Sequence, residues 1–150
     1  VESKKQEESA WRAENKELSR KLNRFLSGEV PEIDYNKIEV KPNTATRVAS
    51  ATMLGVYAEK VENMIVASAD LSNSDKTDGF LKKTKEFQKG DFSGQFFQAG
   101  VAELTMACVM NGMALHGGVI PACGTFFVFS DYMKPAIRMS ALMRLKVVYV

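Results

Sequence analysis

The chain has 150 residues, 45% of them apolar, and sets 20 Lys and Arg against 18 Asp and Glu for a net charge of +2. That is material for one globular domain with a real core, and it excludes a disordered chain. No window reaches the roughly 20 consecutive apolar residues of a spanning helix, and the start VESKKQEESAWRAENK lacks an apolar signal-peptide core, so no membrane is expected and a cytoplasmic setting is the default. Eighteen charged residues, nine of each sign, fall in positions 1–42; they form no coherent basic stripe, and no nucleic-acid partner is expected.

Along the chain, Trp11, Leu18, Leu22, Phe25 and Leu26 recur at helical spacing between Glu8 and Leu26, which predicts one amphipathic helix ended by Gly28. Pro31 to Pro42 reads as an irregular linker with Ile33, Tyr35, Ile38 and Val40 as anchors. Asn43 or Thr44 is expected to cap a second helix with the stripe Val48, Ala51, Leu54, Tyr57 and Val61, and Arg47 in its first turn. The run from Met64 to Ala69 has the length and uniform apolarity of a strand buried on both faces, with Asp70 just past it.

Ser72 to Asp91 turns polar and lysine-rich (Lys82, Lys83, Lys85, Lys89), which predicts an exposed loop. Phe92 to Ala99 is expected as a short strand, and Val101 to His116 as a helix dense in small residues and Met. Gly117-Gly118 breaks that helix. Val119 to Thr125 reads as a strand, Phe129 to Met143 as a helix bent or begun near Pro135, and Lys146 to Val150 as the opening of a last strand. Strands alternating with helices give an α/β fold with a parallel sheet flanked by helices. Cys108 and Cys123 lie among apolar residues without a CxxC spacing, so buried free thiols are expected, with no disulfide and no zinc.

Positions 101–143 hold only four charged residues, Glu103, Asp131, Lys134 and Arg138. Burying a carboxylate without a partner is costly, so retaining Glu103 in such a segment points to a partner. A place in the first turn of a helix, favoured by the macrodipole, accounts for its position alone. His116, the only histidine, sits at a helix end where its ring meets the carbonyl dipole, and reads as structural. Phe126, Phe129 and Tyr132 follow at spacing three, a pattern that composition alone assigns to the core. Asp70 stands where open α/β sheets gather ligands, although a turn cap explains it as well.

The motifs Gly100-Val101-Ala102-Glu103, Asn111 to Gly117, and GTFFVFSDYM (124–133) with Pro135-Ala136-Ile137-Arg138 resemble the pyrimidine-binding domain of the transketolase family. Thr46-Arg47 and Ser68-Ala69-Asp70-Leu71 with Ser74 fall in the family's order, and the resemblance runs from about Thr44 to Val150. It implies two parts: an amphipathic helix and inter-domain linker over 1–42, and a partial pyrimidine-binding domain over 43–150. It further implies that the sequence is a middle segment of a longer polypeptide.

By that resemblance, Glu103 is the carboxylate that hydrogen-bonds the pyrimidine ring of thiamine diphosphate and promotes loss of the thiazolium proton. Phe126, Phe129 and Tyr132 form the pocket for the ring, where flat apolar surfaces stack, and Tyr132 reaches its amino group. Phe127 and Val128 are then packing residues. Asp70 faces the cofactor or substrate across a dimer interface, and Arg47 and Ser74 grip the phosphate of sugar phosphates, a task suited to a guanidinium. The metal, Mg or Ca, has its ligands elsewhere. The implied activity moves a two-carbon ketol unit from a ketose phosphate to an aldose phosphate in a homodimer; the segment alone is expected to be inactive. Deoxyxylulose-phosphate synthase, an oxo-acid dehydrogenase subunit, and a non-catalytic dimerisation module stand as alternatives. Some positions depart from the family's pattern: Ala102 and Leu104 flank the glutamate where arginine and histidine are frequent, Ala122 and Cys123 replace an aromatic and a glycine, and Asp75 replaces an asparagine.

Overall fold

The computed structural model describes all residues, 1–150. Its N-terminal part holds two helices instead of one, α1 (Glu2–Glu14) and α2 (Lys16–Ser27). The break falls at Asn15, which leaves helical geometry at φ −114°, ψ 58° while its amide and its side chain both donate to the Trp11 carbonyl, at 2.8 and 2.9 Å; a side chain that bonds nearby backbone in this way makes Asn a poor interior residue. Arg12 then clamps the hairpin, donating to Glu8 on its own helix and to Ser19 and Asn23 on the next. Gly28 closes α2 in the left-handed conformation, φ +75°. Neither helix has a buried residue; Lys21 and Arg24 pair with Glu62 at the surface, contacts of little energetic weight. In the linker, Ile33 packs on the core and Ile38 is half-buried, whereas Tyr35 and Val40 are exposed.

Four parallel strands form one sheet in the order β2-β1-β3-β4: β1 (Met64–Ser68), β2 (Phe96–Gln98), β3 (Ile120–Gly124) and β4 (Val148–Tyr149). The helices are α3 (Thr46–Lys60), the short α4 (Ser72–Asp75) and α5 (Asp78–Leu81), then α6 (Glu103–His116) and α7 (Ser130–Leu142). Alternation along the strands sorts the core into two halves, one per face. Val66 and Ala122 point to Leu54, Val61, Phe80 and Phe96. Ala67 and Cys123 point to Met106, Ala107, Met110, Met133 and Ala136 of α6 and α7.

Several boundaries move. No side chain caps α3, which starts at Thr46 after Ala45. Helix α7 runs straight through Pro135. On the facing helix, the buried Asn111 donates from Nδ2 to the Ala136 carbonyl at 2.9 Å, while its Oδ1 accepts from Tyr149 Oη at 2.9 Å. One buried amide thus joins α6, α7 and β4.

The expected exposed loop over 72–91 is corrected by the structure. Its first half is core: Asp75, Thr77 and Phe80 are buried, and α5 lies so close to α3 that a Cβ on Gly79 would stand 2.4 Å from the Ala51 carbonyl oxygen. Lys82, Lys83, Lys85 and Lys89 do stay outside, three of them paired: Lys82 with Asp78, Lys83 with Glu59, and Lys85 with Asp91. The thiols are a second correction, since Cys123 is buried but Cys108 is exposed. Period 3.6 turns residue 108 outward while its neighbours Met106, Ala107 and Met110 face in.

Two outcomes follow from this packing. Gly79→Ala has no room against backbone and should cost about 2–3 kcal/mol, read by urea unfolding. Burial pushes the Cys123 thiol up to about 12 from its usual 9.0, so at pH 8 an aromatic disulfide reagent should titrate one thiol, Cys108, and the second only after denaturation. The same raised value makes the unfolded chain lose its proton first, so the Cys123 contribution to stability declines as pH rises from about 9 to about 12.

Candidate functional site at the carboxyl ends of the strands

In-register parallel pairing sets Ser68 opposite both Gln98 and Gly124. The chain therefore leaves β1, β2 and β3 along a single line, the edge where open parallel sheets collect ligands. Every residue the resemblance assigns to the site except Arg47 follows one of these exits: Asp70 and Ser74 after β1, Glu103 after β2, and Phe126, Phe129 and Tyr132 after β3.

Glu103 is the first residue of α6. The chain reaches it through Gly100 at φ +68° and Ala102 at φ −151°, ψ 63°, a sharp entry that brings the carboxylate against the core with 8% exposure. It forms no hydrogen bond or ion pair with any group of the chain, while the Met106 amide is taken by the Ala102 carbonyl. The helix N-terminus favours its charge. An almost buried acceptor with all its hydrogen-bonding capacity free is poised for an outside donor.

The aromatic residues form a row. Phe126 and Phe129 have centroids 6.3 Å apart with planes 18° from parallel, and Phe129 and Tyr132 repeat this at 6.3 Å and 25°. A 3-10 turn over Phe127–Phe129 followed directly by α7 sets the spacing. Phe126 and Phe129 are half-buried and Tyr132 is 62% exposed, its hydroxyl unbonded within the chain. The same turn throws Phe127 and Val128 outward, at 93% and 66% exposure, so neither packs inside this chain as expected.

Asp70 ends β1 in the left-handed region, φ +65°, a conformation that costs energy for any residue but glycine and is least unfavourable for Asp and Asn. Arg47 lies in the first turn of α3, exposed and without an ion pair. It lines an open cleft of about 320 Å³ with Thr46, Ser50, Asp75, Thr125, Phe126 and Phe127. Arg47 and Phe126 are thus brought together. Ser74, half-buried on α4, is not in that wall and donates to Asn73 Oδ1 at 3.1 Å. His116 meets the Gly117 carbonyl at 3.0 Å at the far end of α6. No three His, Cys, Asp or Glu side chains converge as metal ligands.

Thr125 escaped the sequence reading, and for Asp75 the departure from the family's asparagine was legible there but its burial was not. Thr125 Oγ1 is the one fully enclosed side-chain polar atom without a partner, and Asp75 is a buried carboxylate in place of an exposed one. Thr125 carried a signal in its place beside Phe126; Asp75 carried none, since its burial depends on how the turn after β1 folds back.

These features define an α/β domain with a parallel sheet, whose candidate site at the strand carboxyl ends offers a nearly buried carboxylate without a partner in the chain, a row of near-parallel rings and a cleft with an unpaired arginine. Residues 43–150 match the family Transketolase, pyrimidine binding domain. The transketolase of Bacillus subtilis (strain 168) is 42% identical over 157 residues, covering 99% of this chain and 23% of its own length. That of Aquifex aeolicus is 40% identical over 141 residues, covering 93% and 20%. Among solved structures, transketolase from Leishmania mexicana superposes with a TM-score of 0.86 at 29% identity, covering 99% of this chain and 22% of that one. A Pichia stipitis transketolase solved with sedoheptulose-7-phosphate gives 0.79 at 33% identity, covering 94% and 22%. The chain belongs to the transketolase family, as its pyrimidine-binding domain, and spans less than a quarter of the length of these relatives.

The orphan hydroxyl yields a stability prediction. Thr125→Val keeps the shape and removes a buried group that bonds nothing, so it should leave unfolding free energy unchanged or raise it by about 1 kcal/mol, measured by chemical denaturation.

Proposed function

We propose that this chain is the pyrimidine-holding part of a transketolase that moves a two-carbon ketol unit from a ketose phosphate to an aldose phosphate with thiamine diphosphate. The observation that carries the reading is the buried, unbonded Glu103 carboxylate on the same sheet edge as the near-parallel rings of Phe126, Phe129 and Tyr132. That donor set fits an aminopyrimidine, which offers flat faces for stacking and one ring nitrogen for a carboxyl group. When bound, the cofactor supplies an acidic thiazolium carbon able to make and break the carbon–carbon bond.

The residues of this chain then have distinct tasks. Glu103, 8% exposed on the helix that also carries the core residues Met106, Ala107 and Met110, would share a proton with the ring nitrogen through its carboxyl oxygens. Phe126 and Phe129 orient the ring, and the Tyr132 hydroxyl is free for its amino group. Arg47, unpaired at the mouth of its cleft, takes the phosphate of the sugar, with Ser74 and Asp70 serving from the neighbouring turn. The divalent metal, Mg or Ca, and the diphosphate are held by residues outside positions 1–150. A homodimer completes the site; the exposed Val101, Leu104, Phe127 and Val128 beside it supply an apolar surface for such a partner. The sugar-phosphate chemistry belongs to the pentose phosphate pathway, in the cytoplasm.

Glu103→Gln in the full-length protein tests this reading, since it keeps size and removes the shared proton. Ketol transfer between sugar phosphates should fall at least about 100-fold, with the melting temperature moved by only a few degrees. Full activity in the variant, or a wild-type protein that acts on pyruvate and ignores ketose phosphates, would sink it.

A further inference from the structure

The turn after β1 is built around a second carboxylate with a task of its own. Asp75, 7% exposed, ends α4 and accepts three hydrogen bonds: from Ser68 Oγ to Oδ2 at 2.9 Å, and from the Thr77 amide and Thr77 Oγ1 to Oδ1, both at 2.8 Å. Ser68 Oγ in turn accepts from the Leu71 amide at 3.2 Å, directly after the left-handed Asp70. One carboxylate, acting through one hydroxyl, braces the turn that carries Asp70 and Ser74. The end of β3 closes over it, since a Cβ on Gly124 would stand 2.5 Å from Thr77 Cγ2 and 3.5 Å from Asp75 Oδ2. Asp75 also lines the cleft of Arg47, yet forms no ion pair with it or with any other cation. The cleft therefore carries one free cation and one fixed anion, and an anionic ligand drawn by the first is opposed by the second.

We propose that Asp75 is a specificity-determining residue of this cleft: it braces the Asp70–Ser74 turn and, through its charge, weakens the hold of Arg47 on a phosphate group. The proposal rests on the assignment of that cleft to the phosphate end of a sugar phosphate. A weakened hold leaves the phosphate exchangeable, which serves turnover more than tight binding does. Asparagine at this position keeps the brace without the charge, because its Oδ1 accepts from Thr77 and its Nδ2 donates to Ser68 Oγ.

The test uses full-length protein and two readouts. By calorimetry, Asp75→Asn should bind inorganic phosphate about three- to tenfold more tightly than wild type, with the gain shrinking as salt rises. In turnover, its KM for a phosphorylated aldose acceptor should fall by a similar factor, while the KM for an unphosphorylated aldose stays put. Arg47→Ala should abolish the phosphate gain when combined with Asp75→Asn. Equal phosphate affinity in wild type and Asp75→Asn overturns the proposal, as does a gain that survives the loss of Arg47. Should Asp75→Asn fold poorly, Asp75→Ser carries the same comparison. Because the calorimetric arm needs no catalysis, a protein that binds phosphate as stated but transfers no ketol unit counts against the functional reading and in favour of Asp75.

Discussion

Met64 to Ser68 pairs along its whole length with Ile120 to Gly124, and the rest of the site depends on that register. Parallel pairing makes both strands end at the same level, so the turns that follow them open side by side. A slip of one residue would exchange Val66 and Ala67 between the two half-cores. The pairing is held by apolar burial on both faces, and Val66, Ala67, Ala122 and Cys123 are all at 1% exposure or less. Small side chains at three of these four positions let helices approach from both sides. Gly124 ends the series because Thr77 fills the place a Cβ would take. Register, strand end and cleft wall are thus fixed by one contact between β3 and the turn after β1.

The same close approach explains why α6 is built as it is. The buried Ala107 leaves Met106 and Met110 as the large residues that plug the face of the sheet. A helix so thin on one side seats its first residue deep, and this is how an acid comes to lie at the protein surface by topology yet be almost wholly covered. Asn111 adds the second anchor, tying α6 to the α7 backbone and to Tyr149. Because Tyr132 lies in the first turn of α7 and Phe129 directly precedes that helix, the tie also bears on the relation between Glu103 and the rings. Side chains that touch no ligand hold the distance between those that would.

Much of this was legible from the residues. The apolar runs marked β1 and β3 to within a residue or two, the small-residue pattern marked α6, and alternation of strand with helix gave the parallel sheet. The motifs from Gly100 to Arg138 carried the family. What stayed hidden depends on the fold as a whole. The Asn15 break is a change of backbone angles at a single residue, which the long amphipathic pattern from Trp11 to Leu26 conceals. The segment after Asp70 is as polar as any loop, and only its fit against Ala51 and Gly124 buries Asp75 and Thr77. Cys108 has the same apolar neighbours in sequence as Cys123, and helical phase alone sends it outward. Phe127 is the sharpest case, since apolarity argued for burial and a single 3-10 turn exposes nearly all of it.

Glu103 and Asp75 show how burial becomes informative only with its hydrogen bonds. Both are acids, both are more than nine-tenths covered, and both stand at the carboxyl edge of the same sheet. A carboxylate removed from water loses several strong hydrogen bonds and must recover them from the protein or from a ligand. Asp75 recovers three from Ser68 and Thr77, and its burial is accounted for within the chain. Glu103 recovers none from the chain, and its oxygens stay open to solvent or a ligand. The difference separates an acid whose bonds are all made within the chain from one whose carboxylate is left available, and it is on that difference that Glu103 is proposed as a binding group and Asp75 as a brace.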